Sequence, residues 1–403
     1  MQVPRFAPFR ALRYSTDAVD LPDVIAPPYD VLSEADIDEL AARHHNNIVH
    51  VDVPRERDGA GRYDAAAELL RSWIDAAVLV TDQQASFTLY RMRFTDASGA
   101  ARDIVGVLGG LEVVDEGAGG VLPHERTTPK ASTDRLDLTR SSRCNLSPVW
   151  GLSLSAGLTR ELTEPGEPVG SVTVDGVEHV VERVTDPARL TAISAAVGAD
   201  DVLIADGHHR YGISRTYRDE VRTATGATDS PAELTLTFVS ELVAEQLSVE
   251  AIHRLYRGVR FETLREILAG SFDLSEADTP TAATLAEMVD RGALCLVAPD
   301  GSGTWLTPKP GAFDGIRELD GAWLEHVLSA HDVPATLEVT YQHGLDEVVA
   351  AVTGDDAVVG VLIRPVSVSE IERTAREGLL MPPKSTFFTP KLRTGLVVRP
   401  LDD

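Results

Sequence analysis

The sequence predicts a mixed α/β fold, in the broad sense that covers α/β and α+β arrangements, and two patterns indicate this class. Short apolar runs typical of buried strands alternate with longer segments of helical periodicity along all 403 residues. In the clearest case, the apolar run at 202–205 leads through Asp206 and Gly207 into a helical pattern that reaches about Arg222. Strands and helices in alternation bury their apolar sides by layering helices on a sheet.

Length and composition predict two or three domains with true hydrophobic cores, since a domain usually has about 100–200 residues and 43% of this chain is hydrophobic. We place an N-terminal α/β region at 1–100, a central domain at 101–255 and a C-terminal α/β domain at 256–403. No internal repeat or long low-complexity tract divides the chain further.

In the N-terminal region, the dipeptide Pro27-Pro28 marks a rigid turn at the end of an extended segment, because each proline fixes its φ angle. Ser33 is placed to cap the helix that follows. Alternating apolar residues predict strands, and apolar residues three or four apart predict helices. The predicted elements are an extended segment at 24–29, helices at 33–43 and 63–77, and strands at 48–53 and 86–94.

The same two periodicities predict the strands and helices of the rest of the chain. The central domain is predicted to have strands at 104–108, 149–154, 202–205 and 234–243, helices at 134–143, 187–197 and from the 206–209 turn to about 222, and a loop at 166–168. The C-terminal domain is predicted to have helices at 322–329, 345–352 and 367–379, strands at 336–341, 358–363 and 395–398, and a loop at 381–391.

The formal net charge of −26 argues against broad binding to nucleic acid or to a membrane surface, where a basic face supplies most of the attraction. A phosphate site in so acidic a chain needs local positive groups. Only four lysines occur, and three of them, Lys130, Lys384 and Lys391, lie in segments rich in threonine and proline. A compact ammonium with three donors suits a phosphate-binding loop, although chance can also place so few lysines this way.

The two cysteines, Cys144 and Cys295, lie far apart and match no metal or redox spacing, which favours a reducing cytoplasm. No apolar stretch follows a basic start as in a signal peptide, and no apolar run approaches 18 residues. We therefore expect a cytoplasmic protein without a membrane span.

The run Asp-Gly-His-His-Arg at 206–210 is the strongest candidate for a functional site. A strand that breaks at a glycine and starts a helix exposes backbone N–H groups to an anion, and glycine lets a phosphate approach closely. His208, His209 and Arg210 add donors, while Asp206 either caps the helix or holds Mg²⁺. A structural histidine pair and a pair of metal ligands are the alternatives.

The segment 123–130, Pro-His-Glu-Arg-Thr-Thr-Pro-Lys, is the second candidate. Glu125 is placed to act as general base for a hydroxyl nucleophile, because a carboxylate takes such a proton when it lies within hydrogen-bond reach. Arg126 and Lys130 could neutralise a phosphate or a substrate carboxylate. The alternative is an ordinary helix start with a glutamate in its first turn.

These two motifs, together with the segment 24–31 and the loop at 381–391, resemble the family catalogued as domain of unknown function 1015. The resemblance runs from near residue 5 to near residue 397. The central portion resembles the ParB/sulfiredoxin-like nucleotide-binding domain and its free serine kinases, which implies the same fold for the core. A longer spacing between the motifs, with an apparent insertion at 156–185, departs from a minimal domain of that type.

By this similarity, Glu125 corresponds to the base that deprotonates the acceptor hydroxyl. Asp206 corresponds to the acid beside the transferred phosphate, and we also assign it to Mg²⁺. The similarity assigns the phosphate-binding turn to Gly207, His208, His209 and Arg210, with His209 counted as catalytic too. We expect Lys384 and Lys391 to close over the phosphates, and expect the substrate to contact His124, Arg126, Thr127, Thr128 and Lys130.

The leading hypothesis is a small-molecule kinase that moves a phosphoryl group from ATP or ADP to a hydroxyl, with L-serine as acceptor and O-phosphoserine as product. Another hydroxylated metabolite as acceptor stays open. A second class is a nucleotide-binding regulator or ParB-like protein without kinase activity, although no basic stripe or helix-turn-helix pattern supports a DNA version. The C-terminal half either completes the pocket or forms a homodimer.

Overall fold

The computed structural model describes residues 3–55, 59–96, 99–125, 132–331 and 333–402, without the side chains of residues 132 and 133. The helices in these ranges are α1 Leu21–Val24, α2 Glu34–Arg43, α3 Val49–Asp52, α4 Arg62–Asp75, α5 Ser132–Ser142, α6 Leu158–Glu161, α7 Pro187–Val197, α8 His208–Thr225, α9 Phe261–Ala269, α10 Ala282–Arg291, α11 Asp320–Ser329, α12 Leu345–Thr353 and α13 Val368–Arg376.

The strands are β1 Phe6–Ala7, β2 Leu12–Tyr14, β3 Leu79–Thr81, β4 Phe87–Thr95, β5 Ala101–Glu112, β6 Val121–Leu122, β7 Cys144–Asn145, β8 Val149–Ser153, β9 Glu167–Val174, β10 Val177–Val184, β11 Val202–Asp206, β12 Leu234–Glu241, β13 Ser248–Glu250, β14 His253–Arg257, β15 Phe272–Ala277, β16 Leu294–Val297, β17 Gly303–Pro308, β18 Glu338–Gln342, β19 Val358–Leu362, β20 Phe387–Thr389 and β21 Arg399–Pro400. The mixed α/β class predicted from the sequence is confirmed.

The chain divides into two compact units. The first contains residues 1–248, 375–378 and 390–403, and the second contains 249–374 and 379–389. The boundary predicted near residue 100 falls in the turn between β4 and β5, which pair with each other. Residues on both sides of it therefore share one sheet.

The first unit is built on a mixed sheet with the strand order β6-β11-β8-β12-β5-β4-β10-β9, and β1 adds to β5. Two pairs in it, β6 with β11 and β8 with β12, are parallel. Ile193 and Val197 of α7 share a buried cluster with Leu89 and Val107 of the sheet. This packed core holds β11 rigidly, and β11 carries the candidate site.

The second unit has an antiparallel sheet with the order β15-β17-β16-β19-β14-β18. Successive residues of β16 point to opposite faces, as the period of two in a strand requires. Leu294 and Leu296 belong to a core with α9 and α11, while Cys295 and Val297 belong to a core with α10 and α12. Helices therefore cover both faces of this sheet.

Local signals predict several elements correctly because those signals act within one turn. Ser33 forms a capping box with Asp36 at the start of α2. The helix predicted at 187–197 is α7, where Asp186 accepts a hydrogen bond from the backbone of Arg189 and Pro187 occupies the first turn.

The strand predicted at 48–53 is wrong, because residues Val49–Asp52 form α3. The side-chain oxygen Oδ1 of Asn47 accepts a hydrogen bond from the backbone of Val49 at 3.0 Å and so starts a helical turn. Ile48, Val49 and Val51 are all buried in this turn. A four-residue helix is too short to show the helical period in its sequence.

The loop predicted at 166–168 is also wrong, because β9 begins at Glu167. β9 and β10 form a hairpin whose turn residues, Asp175 and Gly176, have φ angles of 52° and 75°. Positive φ at both positions is the geometry that an Asp-Gly turn favours in a hairpin. The apparent insertion at 156–185 thus contributes two strands to the main sheet, since β10 pairs with β4.

Two predicted extended segments are shorter in the structure than in the prediction. The extended segment predicted to begin at Val24 begins after it, because Val24 ends α1, which has Pro22 in its first turn. The strand predicted at 395–398 is reduced to an isolated bridge between Val398 and Leu12.

Among the described ranges, no helix has both the length and the apolar character that crossing a membrane requires.

Candidate functional site

The run at 206–210 forms a sharp turn from strand to helix. β11 ends at Asp206, Gly207 has a left-handed φ of 85°, and α8 begins at His208 and continues for 18 residues. Gly207 is the residue at the N-cap position, and no side chain caps the helix there. The expectation that Asp206 caps α8 is wrong, because its carboxylate is bound by two cations instead. The first-turn N–H groups of α8 are therefore left for another partner.

A β-bulge lies directly before this turn. Where β11 pairs with β8, the register shifts between Ile204 and Asp206. A bulge bends its strand and changes the direction of the side chains that follow, and bulges are common next to active sites. The irregularity in β11 thus sets the direction in which Asp206 leaves the sheet.

The second motif lies beside the first, as a result of the parallel pair β6 and β11. Val121 pairs with Val202 and Leu122 with Leu203. Two residues later, the Nδ1 atom of His124 donates a hydrogen bond to the carbonyl of Ile204 at 2.6 Å. The ring of His124 contacts the ring of His208, with centroids 4.9 Å apart in an edge-to-face arrangement. Two segments about 80 residues apart in sequence therefore form one site.

Glu125 follows His124 directly, three residues beyond the last paired residue of β6. Burial lowers the pKa of His124 and the charge of Glu125 opposes this shift, so the Glu125 carboxylate lies near that ring. Glu125 is half-buried. The remaining predicted substrate residues of this motif, Arg126, Thr127, Thr128 and Lys130, lie outside the described residues.

Asp206 is the electrostatic centre of the turn. Its Oδ1 accepts a hydrogen bond from Nζ of Lys391 at 2.9 Å, and its Oδ2 accepts one from Nη2 of Arg210 at 2.6 Å. Burial alone would raise the pKa of Asp206, but the charges of Lys391 and Arg210 outweigh it and hold this pKa well below its usual range. The carboxylate is therefore ionised at neutral pH.

Arg210 connects the turn to two neighbouring segments. Its guanidinium donates to the carbonyl of Pro148 as well as to Asp206, and its Nη2 lies 3.7 Å from a carboxylate oxygen of Asp30. Burial would lower the pKa of Arg210, but the charges of Asp30 and Asp206 raise it above its usual value. Arg210 thus keeps its charge while only 8% exposed.

The histidines of the turn differ in their surroundings. Burial lowers the pKa of His208, and the nearby ring of His124 lowers it further, so the His208 ring is neutral at pH 7. Its Nε2 is a buried atom without a hydrogen-bond partner in the part of the chain that the structure describes. Burial likewise lowers the pKa of His124. His209 is the next residue of α8 and is half-buried.

The structure brings together most of the described residues predicted for the site. His124, Glu125, Asp206 and the turn converge, and Lys391 joins them from 185 residues away. His124 is fully buried and bound to Ile204, so it supports the turn from behind. Lys384 belongs to the second unit, where its backbone carbonyl accepts a hydrogen bond from Arg254.

The sequence analysis did not predict a role for Asp30 at this site. Asp30 follows the proline-rich turn and stands near Arg210, and Tyr29 lies under the guanidinium of Arg135, whose central carbon is 3.7 Å from the ring centroid. A rigid Pro-Pro-Tyr-Asp turn was the available signal. It indicated a fixed conformation but not the partner of the aspartate.

The described residues do not form a Mg²⁺ cage. Both oxygens of Asp206 are bound by cations, and no group of three or more histidine, cysteine, aspartate or glutamate side chains in the described ranges is arranged to hold a metal ion. Proteins often bind Mg²⁺ through few carboxylates and the phosphates of a substrate. The assignment of Mg²⁺ to Asp206 stays a prediction.

Replacing Gly207 with alanine tests the turn. A Cβ atom at this position would lie 3.0 Å from the guanidinium carbon and from Nε of Arg210, and the φ of 85° is unfavourable for alanine. We expect a loss of about 1–2 kcal/mol in the free energy of unfolding and weaker nucleotide binding. Urea unfolding and calorimetric titration measure both. Gly212→Ala is the control, because nothing lies within 4 Å of a Cβ there; an equal effect of both changes would contradict the prediction.

A family model described as protein of unknown function (DUF1015) matches residues 6–322. No curated protein gives a significant match. A mutant of free serine kinase in complex with ADP is 15% identical, covers 67% of this chain and 84% of its own, and has a TM-score of 0.38. A conserved hypothetical protein from Pyrococcus furiosus is 14% identical, with coverages of 67% and 87% and a TM-score of 0.37.

SbnI with a C-terminal truncation, from Staphylococcus aureus, is 14% identical, covers 72% of this chain and 87% of its own, and has a TM-score of 0.37. Similarity at this level carries no information about the substrate. The family match covers Glu125 and the 206–210 turn but ends before Lys391.

Proposed function

The chain belongs to the family of proteins of unknown function DUF1015, and we propose that it is a phosphotransferase that moves a phosphoryl group from ATP or ADP to the hydroxyl of a small metabolite. The observation that carries the proposal is the convergence of two motifs. His124 is bound to Ile204 and packed against His208, so the Pro-His-Glu segment ends beside the Asp-Gly-His-His-Arg turn.

The turn is suited to bind the nucleotide phosphates. The positive end of the α8 dipole and its uncapped N–H groups face an incoming anion, and Gly207 has no side chain to keep the anion away. Lys391 reaches the turn with three donor hydrogens, and the unpartnered Nε2 of His208 is a further polar atom there. Phosphoryl transfer needs mainly such positioning and neutralisation of charge.

Glu125 is the proposed general base. Its carboxylate accepts the proton of the acceptor hydroxyl while the oxygen of that hydroxyl forms a bond to phosphorus. The bond between this phosphorus and the bridging oxygen of the nucleotide breaks, and the shortened nucleotide leaves with the electron pair. In this proposal, Asp206 holds Lys391 and Arg210 at the transferred phosphate. His209, at the start of α8, donates a further hydrogen bond to that phosphate.

The proposed acceptor is L-serine, with O-phosphoserine as product. The test is a transfer assay with the full chain, ATP and ADP in parallel, L-serine and a panel of other hydroxylated metabolites, in Mg²⁺ and in EDTA, with products read by mass spectrometry. We expect a phosphorylated acceptor that depends on the nucleotide, and loss of product in EDTA.

Two results would count against this proposal. Nucleotide binding without a product from any acceptor would contradict a transferase and favour a nucleotide-binding regulator. If calorimetry detects no nucleotide binding by the folded chain, the role of the 206–210 turn is wrong as well.

A further inference from the structure

One edge of the antiparallel sheet in the second unit is open. β18 is the last strand of this sheet and, among the strands that the structure describes, pairs with β14 alone. No hydrogen bond from another described segment reaches the outer side of its backbone. The first four of its five residues are exposed. The outward N–H and C=O groups of this edge can therefore pair with a further strand.

The open edge carries two apolar side chains on one face. Val339 is 37% exposed and Tyr341 is 41% exposed, while the other three residues of the strand point to the opposite face. Val339 lies opposite Tyr256 of β14, which belongs to the core with α9 and α11. The exposed pair thus continues the apolar side of the sheet into solvent.

β18 lacks the features by which proteins usually protect an open edge. Such features include lysine, proline and a β-bulge. The strand contains neither lysine nor proline, and its pairing with β14 is continuous from Glu338 to Gln342. Its backbone can therefore accept a partner strand along its full length.

Two other edge strands of the chain are protected. β15 lies at the opposite edge of the same sheet, and self-pairing over all six of its residues would set Asp273 opposite Glu276. β9 is an edge strand of the first unit and contains Pro168. Helix α1 also packs closely on β9, since a Cβ atom at Gly170 would lie 2.7 Å from Leu21. Protection is thus present at those edges and missing at β18.

The sequence of β18 is complementary to itself in the antiparallel direction. In the register centred on Thr340, Val339 of each copy lies opposite Tyr341 of the other. Pairs of a β-branched and an aromatic side chain stabilise a sheet in this position. Glu338 lies opposite Gln342, whose amide can donate to the carboxylate. Although the chain has a net charge of −26, no two acids of the strand face each other.

We propose that β18 is a homodimer interface, in which two copies of the chain pair antiparallel about a two-fold axis at Thr340 and join their six-stranded sheets into one. A second copy is favoured over an unrelated peptide, because a two-fold contact requires a self-complementary surface and every residue of this strand meets that requirement. The inference goes beyond the proposed phosphotransferase and does not depend on it, since the 206–210 turn takes no part.

Sedimentation equilibrium of the full chain tests the association. The concentrations run from about 1 to 300 μM, because an interface built on one strand pair is small and weak. We expect a reversible equilibrium between monomer and dimer. Raising NaCl from about 50 to 500 mM should strengthen it, since salt screens the repulsion between two acidic chains. A monomer over the whole range, or a dimer that salt dissociates, would overturn the proposal.

Hydrogen exchange at the two ends of this concentration range locates the contact. We expect peptides that cover 338–342 to exchange more slowly at high concentration, because their outward N–H groups become hydrogen-bonded. Peptides that cover β15, at 272–277, should exchange at the same rate in both samples. Slower exchange elsewhere, with no change at β18, would assign the contact to another surface and overturn the proposal.

Thr340→Glu and Thr340→Lys test the register. Each change places two like charges opposite each other at the axis, so each variant alone should associate at least about fivefold more weakly than wild type. An equimolar mixture of the two should associate within about twofold of wild type, because opposite charges then face each other. Ser275→Lys is the control, since Ser275 is exposed on β15, and it should associate normally.

Unchanged association in both Thr340 variants, or a mixture that stays monomeric, would overturn the two-fold register. Recovery in the mixture also shows that both variants are folded, because a misfolded chain could not form the strand pair. If either variant does not fold, Val339→Lys replaces it. This change sets a charge opposite Tyr341 of the second copy and should also weaken the association at least about fivefold.

Discussion

Replacing Glu125 with glutamine is expected to lower kcat of phosphoryl transfer by about a hundred- to ten-thousand-fold, because glutamine keeps the shape of the side chain but cannot accept the proton of the acceptor hydroxyl. The affinity for nucleotide should stay within about twofold, since phosphate binding is assigned to the turn across the strand pair. Single-turnover transfer and calorimetric titration of nucleotide measure the two effects separately.

The control for this change is Glu116→Gln. Glu116 precedes β6 in the chain and pairs at the surface with Arg215, with its own side chain 83% exposed. Its replacement should leave both kcat and nucleotide affinity unaltered. Normal turnover in Glu125→Gln would remove the base from the mechanism, and a parallel loss of nucleotide binding would mean that Glu125 supports the turn instead.

Replacing Asp206 with asparagine should have the largest effect on stability. The change leaves Lys391 and Arg210 facing a neutral amide, and a partly buried cation without its carboxylate costs about 3 kcal/mol. We expect a loss of this size in the free energy of unfolding of the first unit, together with the loss of transfer. Urea unfolding followed by hydrogen exchange in peptides from β11 and α8 isolates this unit from the second.

Glu220→Gln is the matched control for that measurement. Glu220 lies on α8 and pairs with Arg140, and both side chains are about 40% exposed, so water replaces the lost ion pair at a cost below about 1 kcal/mol. If the two variants lost equal stability, the cluster around Asp206 would be no more than a surface ion pair.

The difference in stability between wild type and Asp206→Asn should change with pH in a defined direction. The pKa of Asp206 is depressed in the folded chain, so the carboxylate contributes stability above its unfolded pKa of about 3.9, and this contribution is lost as the pH falls through the folded pKa. The gap between wild type and Asp206→Asn should be constant from pH 7 to about pH 5. It should narrow below about pH 4, where only the wild type takes up this proton on unfolding.

The parts of the fold that the sequence predicts are those set by short-range chemistry. Ser33 starts α2 and Asp186 starts α7 through hydrogen bonds to residues three positions away, and such bonds leave a readable local pattern. The turn at Gly207 was predicted for the same reason, because a strand, a glycine and a helical pattern follow each other directly.

The parts that the sequence could not predict depend on which segments meet. The residues next to Asp30 in the sequence do not indicate that Arg210 will be its neighbour. The residues next to Asp52 likewise do not indicate that Arg135 will be its ion partner. Helix packing decides such contacts, since Asp52 lies on α3 and Arg135 on α5, and both helices pack against α4. The alternative in which Asp206 caps α8 was wrong, because Lys391, 185 residues away, and Arg210, four residues away, bind its carboxylate.

The distance along the chain between Asp206 and Lys391 has a consequence for synthesis. A ribosome that adds about 5–20 residues per second needs roughly 10–40 seconds to make the 185 residues that separate the two. Throughout that interval the nascent chain already contains both motifs but lacks the ammonium that helps to keep the Asp206 carboxylate ionised. The proposed phosphate site is therefore completed only late in translation, so a chain that stalls before residue 391 lacks its Lys391.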